Sequence, residues 1–205
     1  SCTMRYEDEY PNVNRVTGFQ LAADAKKINP NVKVSLLYWC APGWVGSDWN
    51  NIYKWLKNTT IAAYREYGYM IDIISPGINE QKDDPKWIKQ FNQWVENDTE
   101  GMISDDASVS GFRDGEAELF HEIQIIMSDE VGIASCGPQL TSDEELRDAV
   151  DIVGYHYNTD DDSAGSFKRL AEEFDKEIWN SEAQATFGST ADRPNNNMEG
   201  GGSGI

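Results

Sequence analysis

The chain has 205 residues and a net charge of −19, with 36 Asp and Glu residues against 17 Lys and Arg residues. A surface this acidic repels nucleic acid and anionic membranes, so neither is an expected partner. Aromatic residues make up 11 % of the chain, a composition compatible with sugar binding as well as with a large core.

Helices and strands alternate in the structure that the sequence predicts. Apolar residues at three- and four-residue spacing predict helices over 11–29, 49–67, 85–96, 115–127, 142–149 and 164–174. Short apolar runs predict strands at 32–38, 69–75, 131–135, 151–157 and 177–179, with a loop over 97–114. Alternation of this kind implies a parallel sheet covered by helices.

The predicted fold class is α/β, and the expected architecture is a (β/α)8 TIM barrel of which the chain covers about strands three to seven. Residues 1–205 would then form a partial catalytic barrel, with a flexible tail over 191–205. The chain looks like a segment of a longer protein, and we expect other segments or chains to cover its open sheet edges. An open doubly wound sheet is the alternative, although no dinucleotide-binding glycine motif follows the first strand.

Two glutamates, Glu80 and Glu182, each follow a strand-like apolar run and a small polar residue. The interval between them is about three strand–helix units if one unit takes about 30–35 residues. A barrel keeps its chemistry at the carboxyl ends of its strands, and two facing carboxylates there can hydrolyse a glycosidic bond. Either glutamate alone would more simply be a solvated loop residue, but the pair together favours the hydrolytic interpretation.

Three further polar residues are predicted near the same strand ends. Asn79 adjoins Glu80 and could hydrogen-bond a substrate hydroxyl beside the scissile bond. His156 and Tyr157 end the strand that lies between the two glutamate strands. His156 would be either a structural histidine or a residue that orients a carboxylate.

Trp39 and Trp44 flank a Pro-Gly turn at another predicted strand end. Indole rings stack on the C–H faces of sugars, so the pair could form a sugar-binding platform. A hydrophobic staple is an equally good interpretation of the same pattern.

The sequence supports neither a metal site nor a cofactor. His121 falls on a predicted helix, and no His-Glu-x-x-His or paired-cysteine spacing occurs. The acidic run 160–162 lacks the spacing of an EF-hand loop and is predicted to be a solvated turn. The absence of a Gly-x-Ser-x-Gly elbow argues against a serine hydrolase.

Cysteines and glycosylation sequons bear on the cellular compartment. Cys2, Cys40 and Cys136 are too few for a disulfide framework. Cys40 and Cys136 could meet at one barrel face, or they could be two unpaired thiols. Asn-x-Thr sequons at Asn58 and Asn97 mildly favour a glycoprotein that is secreted, extracellular or lysosomal. No run of 18 apolar residues occurs, so the sequence predicts no membrane span.

Four segments resemble the galactocerebrosidase-like glycoside hydrolases of family fifty-nine, a family in the clan of retaining (β/α)8 glycosidases. These segments are Asp24–Lys33, Tyr38–Gly46, Val150–Tyr157 and Ile178–Glu182. The last of them is similar to the family's Trp-Ser-Ser-Glu nucleophile strand. Cys136-Gly137 departs from the Asp-Asn expected there, and Ser75–Ile78 departs from the family's pattern before the asparagine.

The resemblance implies roles for the candidate residues. Glu80 would be the acid/base, Glu182 the nucleophile and Asn79 the clan's neighbouring asparagine. The residues expected to line the sugar subsite are Trp39, His156 and Tyr157. The expected function is therefore retaining hydrolysis of a β-glycosidic bond, with β-galactosides as one class, in a carbohydrate or glycolipid.

Two other functions fit parts of the sequence. A non-catalytic carbohydrate-binding or structural extracellular protein on a glycosidase-like barrel would explain the acidic loops and the missing strands. An intracellular α/β binding domain would explain the lack of a signal peptide, but it explains neither glutamate.

Overall fold

The computed structural model describes residues 2–132, 135–157 and 159–182, so the tail predicted at 191–205 lies outside the described residues. In chain order the elements are a 3-10 turn Val13–Arg15, α1 Thr17–Ile28, β1 Ser35–Tyr38, α2 Trp49–Tyr67, β2 Ile73–Ile78, α3 Pro85–Asn97, α4 Glu116–His121, β3 Gln124–Glu130, α5 Cys136–Ser142, α6 Glu144–Asp148, β4 Ile152–His156, α7 Ser166–Phe174 and β5 Glu177–Glu182. The strands form one sheet in the order β1-β2-β3-β4-β5, in which the β3–β4 and β4–β5 pairs are parallel. The predicted α/β class is confirmed.

The chain divides into two compact units. Unit one comprises Ser1–Ile74 and Gln93–Ile123, and unit two comprises Ser75–Asn92 and Gln124–Ile205. In sequence, β2 and α3 each run from one unit into the other. Among the described residues, no helix is both long enough and apolar enough to cross a membrane.

The long helix α2 is the main element of unit one and has the bounds that its apolar spacing predicts. Asp48 caps its start by accepting a hydrogen bond from the N–H of Asn50. Gly68 ends it in the left-handed conformation, with a φ angle of 77° that glycine adopts without a steric penalty. The middle of the helix is buried on several sides, including the polar residues Lys57 and Asn58.

A buried ion pair ties α2 to the segment that follows α3. The Lys57 ammonium lies 2.6 Å from Oδ2 of Asp98, and at most 4 % of either side chain is exposed. The hydroxyl of Tyr53 donates to the same carboxylate oxygen, while the backbone N–H groups of Glu100 and Gly101 donate to the other one. Both charges of the pair therefore have partners, as burial requires.

Two irregularities in pairing mark the carboxyl ends of the strands in unit two. The register between β3 and β4 shifts between Ser128 and Glu130, so Asp129 is an extra residue on β3. Ser128 and Asp129 both have positive φ angles, of 97° and 44°. The register between β4 and β5 shifts after Tyr155. Bulges of this kind re-aim side chains at strand ends.

Asp83 connects the end of β2 to the β3 bulge. Its Oδ2 accepts a hydrogen bond of 2.8 Å from the N–H of Ser128. A Cβ atom on Gly77 would lie 1.6 Å from its Oδ1, so only glycine leaves room for this buried carboxyl. Burial raises the pKa of Asp83 to about 7; the Ser128 N–H opposes the shift, and the negative charges of Asp129 and Glu130 add to it.

Two predicted elements are wrong. The helix expected over 115–127 ends at His121, and residues 124–130 form strand β3 instead. The strand expected at 131–135 is absent among its described residues, and an unpredicted helix, α5, begins at Cys136. The reason is that a strand buried on both faces is a continuous apolar run, which periodicity cannot distinguish from a short buried helix.

Smaller differences concern element ends, cysteines and one sequon. The helix predicted over 11–29 begins only at Thr17, and the strand predicted at 177–179 continues to Glu182.

Cys2, Cys40 and Cys136 are all free thiols. The Asn58 side chain is buried and bonds both backbone groups of Ile103, so the folded protein has no room for a glycan there. Asn97 is exposed, so its sequon is accessible for glycosylation.

Replacing Lys57 by Met should destabilise the protein strongly. The substitution leaves the buried Asp98 carboxylate without its cation, which typically lowers the free energy of unfolding by about 3–5 kcal/mol. Urea denaturation followed by tryptophan fluorescence measures the loss. Lys168→Met is the control, because Lys168 and Glu172 form an exposed pair 4.0 Å apart whose loss should leave the urea midpoint nearly unchanged. Equal midpoints for the two variants would contradict the assigned importance of the buried pair.

Replacing Asp83 by Asn should change how stability depends on pH. The folded protein holds a proton on Asp83 up to about pH 7, whereas an unfolded aspartate releases it near pH 3.9. Stability should therefore fall as the pH rises from about 4 to about 7, by at most about 1.4 kcal/mol per unit from this group, and the contribution should level off above that range.

Asp83→Asn should remove this part of the slope, because an amide keeps the acceptor for the Ser128 N–H but binds no proton. Asp83→Ala should flatten the slope as well but be less stable than Asp83→Asn at every pH, since it leaves the Ser128 N–H without its acceptor. Urea denaturation at a series of pH values measures both. An unchanged slope in the Asn variant would show that Asp83 titrates alike in the folded and unfolded protein.

Candidate active site

The carboxyl ends of the strands in unit two bring the two predicted glutamates together. Nδ1 of His156 lies 3.6 Å from Oε1 of Glu80 and 3.7 Å from Oε2 of Glu182. One carboxylate oxygen of each glutamate and the imidazole nitrogen all lie within 4.8 Å of one another. The same three atoms are close enough for a single cation to contact all of them.

Glu80 lies two residues beyond β2 in an unusual backbone conformation. Its φ angle is 60°, and its N–H donates a hydrogen bond of 3.1 Å to the carbonyl of Asp129 in the β3 bulge. Its side chain is 34 % exposed, so the carboxylate can meet a substrate. The Tyr157 hydroxyl donates to Oε1 of Glu80 over 2.5 Å, and this bond, then burial and the nearby glutamate charges, raise the pKa of Tyr157.

Glu182 is the last residue of β5 and pairs with His156 across the bulge between β4 and β5. Its carbonyl accepts a hydrogen bond of 2.9 Å from the N–H of Tyr157, which fixes the backbone at this point. Its side chain is 41 % exposed. Glu182 is thus held by its backbone, while its carboxylate remains open to solvent.

His156 is buried and lies between the exposed glutamates on one side and Asp129 on the other. Its Nε2 is 3.6 Å from Oδ1 of Asp129. Burial alone would lower the pKa of His156, but the negative charges of Asp129, Glu182 and Glu80 outweigh it and raise the pKa above its usual value. The imidazole therefore favours a positive charge in the position where it contacts both glutamates.

Asp129 is the residue beneath His156. Burial would raise its pKa, but the bonds to His156, Ser181 and Ser75 keep the pKa below its ordinary value. The Ser181 hydroxyl donates to its Oδ1. A Cβ atom on Gly154 would lie 2.4 Å from that oxygen, so the glycine in β4 makes room for the carboxylate.

Asn79 is buried beside Glu80. Among the described residues its side-chain Oδ1 has no hydrogen-bond partner. Buried amide oxygens normally accept a hydrogen bond, so this oxygen is free to accept one from a substrate hydroxyl.

The two predicted aromatic residues belong to unit one. Trp39 is 66 % exposed, and the indole N–H of Trp44 donates to the carbonyl of Met4 over 3.3 Å. The bond to Met4 agrees with a structural role for Trp44. Sugar stacking on either ring stays a prediction.

Sequence reasoning missed Asp129 and Ser181. The signal for Asp129 is the apolar run Ile125–Met127 followed by the small polar residue Ser128, which marks the end of a strand as much as the runs before the two glutamates do. Apolar spacing predicts a helix over 115–127 that includes this run, so the sequence predicts no strand end at Asp129. Ser181 is the small polar residue before Glu182, and nothing in its sequence context indicates a bond to Asp129.

Comparison with known proteins finds relatives of this chain. The family description "Glycosyl hydrolase family 59" matches residues 1–199. Galactocerebrosidase of Salmo salar is 29 % identical over 90 % of this chain and 24 % of its own length. Galactocerebrosidase of Danio rerio is 29 % identical over 82 % of this chain, and that of Mus musculus is 28 % identical over 91 %. The chain therefore spans about a quarter of the length of these relatives.

A solved structure shows the same fold. SrfJ from Salmonella typhimurium superposes with a TM-score of 0.63 over 95 % of this chain and 48 % of its own, at 15 % sequence identity. At that identity the likeness concerns the fold alone. The family match over nearly the whole sequence, together with galactocerebrosidase relatives that align over most of it, shows that this chain belongs to glycosyl hydrolase family 59.

Proposed function

We propose that the protein is a retaining glycoside hydrolase that cleaves a β-glycosidic bond by double displacement. The observation that carries the proposal is the approach of the Glu80 and Glu182 carboxylate oxygens to within 4.8 Å of each other. Retaining enzymes place their two carboxyl groups about 5–5.5 Å apart, whereas inverting enzymes leave about 6.5–9.5 Å for a water molecule. The separation therefore supports retention.

Glu182 is the proposed nucleophile. It must be ionised to attack the anomeric carbon, and the buried imidazole of His156, 3.7 Å away, stabilises that charge when it is protonated. Its backbone is fixed by β5 while 41 % of its side chain is exposed, which suits a group that forms a bond to substrate. The carboxylate would form a glycosyl ester and later be released by water.

Glu80 is the proposed acid/base. It would protonate the leaving oxygen in the first step and take a proton from water in the second. The hydroxyl of Tyr157 holds Oε1 of its carboxyl group, which orients the group and leaves Oε2 to face the substrate. Asn79 would bind a hydroxyl of the sugar through its unused acceptor.

The substrate is proposed to be a β-galactoside in a carbohydrate or glycolipid, since the relatives are named galactocerebrosidases. The catalytic domain is proposed to be a (β/α)8 barrel of which this chain supplies about strands three to seven. Other segments or chains would complete it. A secreted, extracellular or lysosomal protein fits the exposed sequon at Asn97.

Glu182→Gln should abolish turnover of aryl β-galactosides by the full-length protein. The amide cannot form the glycosyl ester, so we expect a loss on the order of 10³-fold or more in kcat. The measurement is release of the phenol across a panel of aryl β-glycosides. Glu177→Gln is the matched control, because Glu177 is an exposed glutamate at the opposite end of the same strand and bonds only Trp179 among the partners seen.

The control should retain wild-type turnover. Equal activity of wild-type protein and Glu182→Gln would exclude Glu182 as the nucleophile. If wild-type protein hydrolysed no glycoside in the panel but bound sugars, the non-catalytic carbohydrate-binding alternative would replace the proposal.

The loss of hydrolysis rate caused by Glu80→Gln should depend on the leaving group of the substrate. Loss of a general acid typically costs about 10²–10⁴-fold when the leaving alkoxide needs a proton. A dinitrophenolate leaves without one, so the burst of phenol from the first turnover should remain while the second step slows. Stopped-flow absorbance separates the two steps. A similar loss in the first step for alkyl and dinitrophenyl glycosides would contradict the acid/base role.

A further inference from the structure

The two glutamates and His156 have a second possible ligand besides sugar. We propose that Glu80, His156 and Glu182 bind one divalent transition-metal ion of the zinc type, and that the bound ion blocks the site. The blocking effect rests on the proposed hydrolytic function, whereas the binding itself does not.

The distances suit a tetrahedral ion. Zinc binds imidazole nitrogen and carboxylate oxygen at about 2.0–2.2 Å, which separates its ligand atoms by about 3.3–3.5 Å. Nδ1 of His156 lies 3.6 Å from Oε1 of Glu80 and 3.7 Å from Oε2 of Glu182. The two carboxylate oxygens lie within 4.8 Å of each other, a wider limit than a tetrahedral ion sets, so the partly exposed glutamate side chains would move toward each other on binding.

An unsatisfied buried atom independently points into this site. His156 is 1 % exposed, and its Nδ1 has no hydrogen-bond partner among the described residues. Buried polar atoms are nearly always satisfied, so an unpartnered nitrogen aimed at two carboxylates calls for a proton or a metal ion between them. The two glutamates alone would be no more than an acidic cluster.

Asp129 supplies the support that histidine ligands of metals usually have. Metal-binding imidazoles donate their other N–H to a carboxylate or carbonyl, which fixes the tautomer and the ring orientation. Nε2 of His156 faces Oδ1 of Asp129 at 3.6 Å, and Ser181 bonds the same oxygen. Binding of the ion would displace the proton from Nδ1, and the proton that stays on Nε2 would face Asp129.

The ligand set selects the class of ion. One imidazole and two carboxylates suit zinc and neighbouring transition metals, whereas calcium and magnesium prefer oxygen ligands alone. Three protein ligands leave a fourth position for water. The chain's net charge of −19 raises the local concentration of cations.

The ion would inhibit hydrolysis because it uses the lone pairs that the reaction needs. Glu182 could not attack the anomeric carbon while its carboxylate is coordinated to the ion. Metal and substrate would therefore exclude each other from the same space between the two carboxylates.

Cobalt is the first probe, because Co²⁺ in a tetrahedral site absorbs visible light and needs no enzyme assay. Titration of the full-length protein with Co²⁺ should show saturable absorbance from one bound ion, and added Zn²⁺ should displace that ion. His156→Gln and Glu182→Gln should each weaken this site at least tenfold, and Asp129→Asn should weaken it by about 10–100-fold. His121→Gln is the matched control: it changes the chain's other histidine, which bonds the carbonyl of Asp98, and should leave the titration unchanged.

Circular dichroism of each variant shows whether it folds, and Glu182→Gln, at a partly exposed position, serves if His156→Gln does not. A titration that shows no tetrahedral cobalt, or one that is the same in wild-type protein and folded Glu182→Gln, would overturn the proposal. Cobalt binding that depends on these residues in a protein without hydrolytic activity would support the metal site and refute the glycosidase. Hydrolysis that Zn²⁺ leaves unchanged at saturation would overturn the inhibitory role.

Discussion

Burying the carboxylate of Asp129 removes the water that would solvate its charge, and the protein must replace that water with donors and a cation. Ser181 donates from β5, Ser75 contributes from β2, and His156 faces the carboxylate from β4. Gly154 provides the space that a side chain would fill. The position of His156, and through it the environment of both glutamates, depends on this one compensated charge.

The bulge that carries Asp129 also fixes the backbone around it. Its carbonyl accepts the N–H of Glu80, and the neighbouring N–H of Ser128 is held by Asp83. Positive φ angles at Glu80, Ser128 and Asp129 are costly conformations that persist only where surrounding bonds impose them, and they cluster at functional sites. In unit two the unusual backbone and the candidate chemistry thus coincide.

The elements that periodicity predicts well are those with one clear apolar face or clear ends. Helix α2, with a cap at Asp48 and a glycine at its end, has its predicted bounds. Strand β3 was missed because a buried run such as Ile125–Met127 fits a helix and a strand equally. Asp129 was missed for the same reason. It faces His156 because it lies in a bulge at the end of β3, and no local pattern in the sequence predicts that bulge.

The sequence by itself determined the α/β alternation, the family resemblance and the choice of Glu80 and Glu182, because apolar periodicity and a polar residue after each run are local properties. Only the tertiary structure decided that the oxygens of these glutamates approach within 4.8 Å and that His156 lies between them and Asp129. Contacts between residues far apart in the chain depend on strand register. Here two bulges shift that register by one residue, which local sequence does not encode.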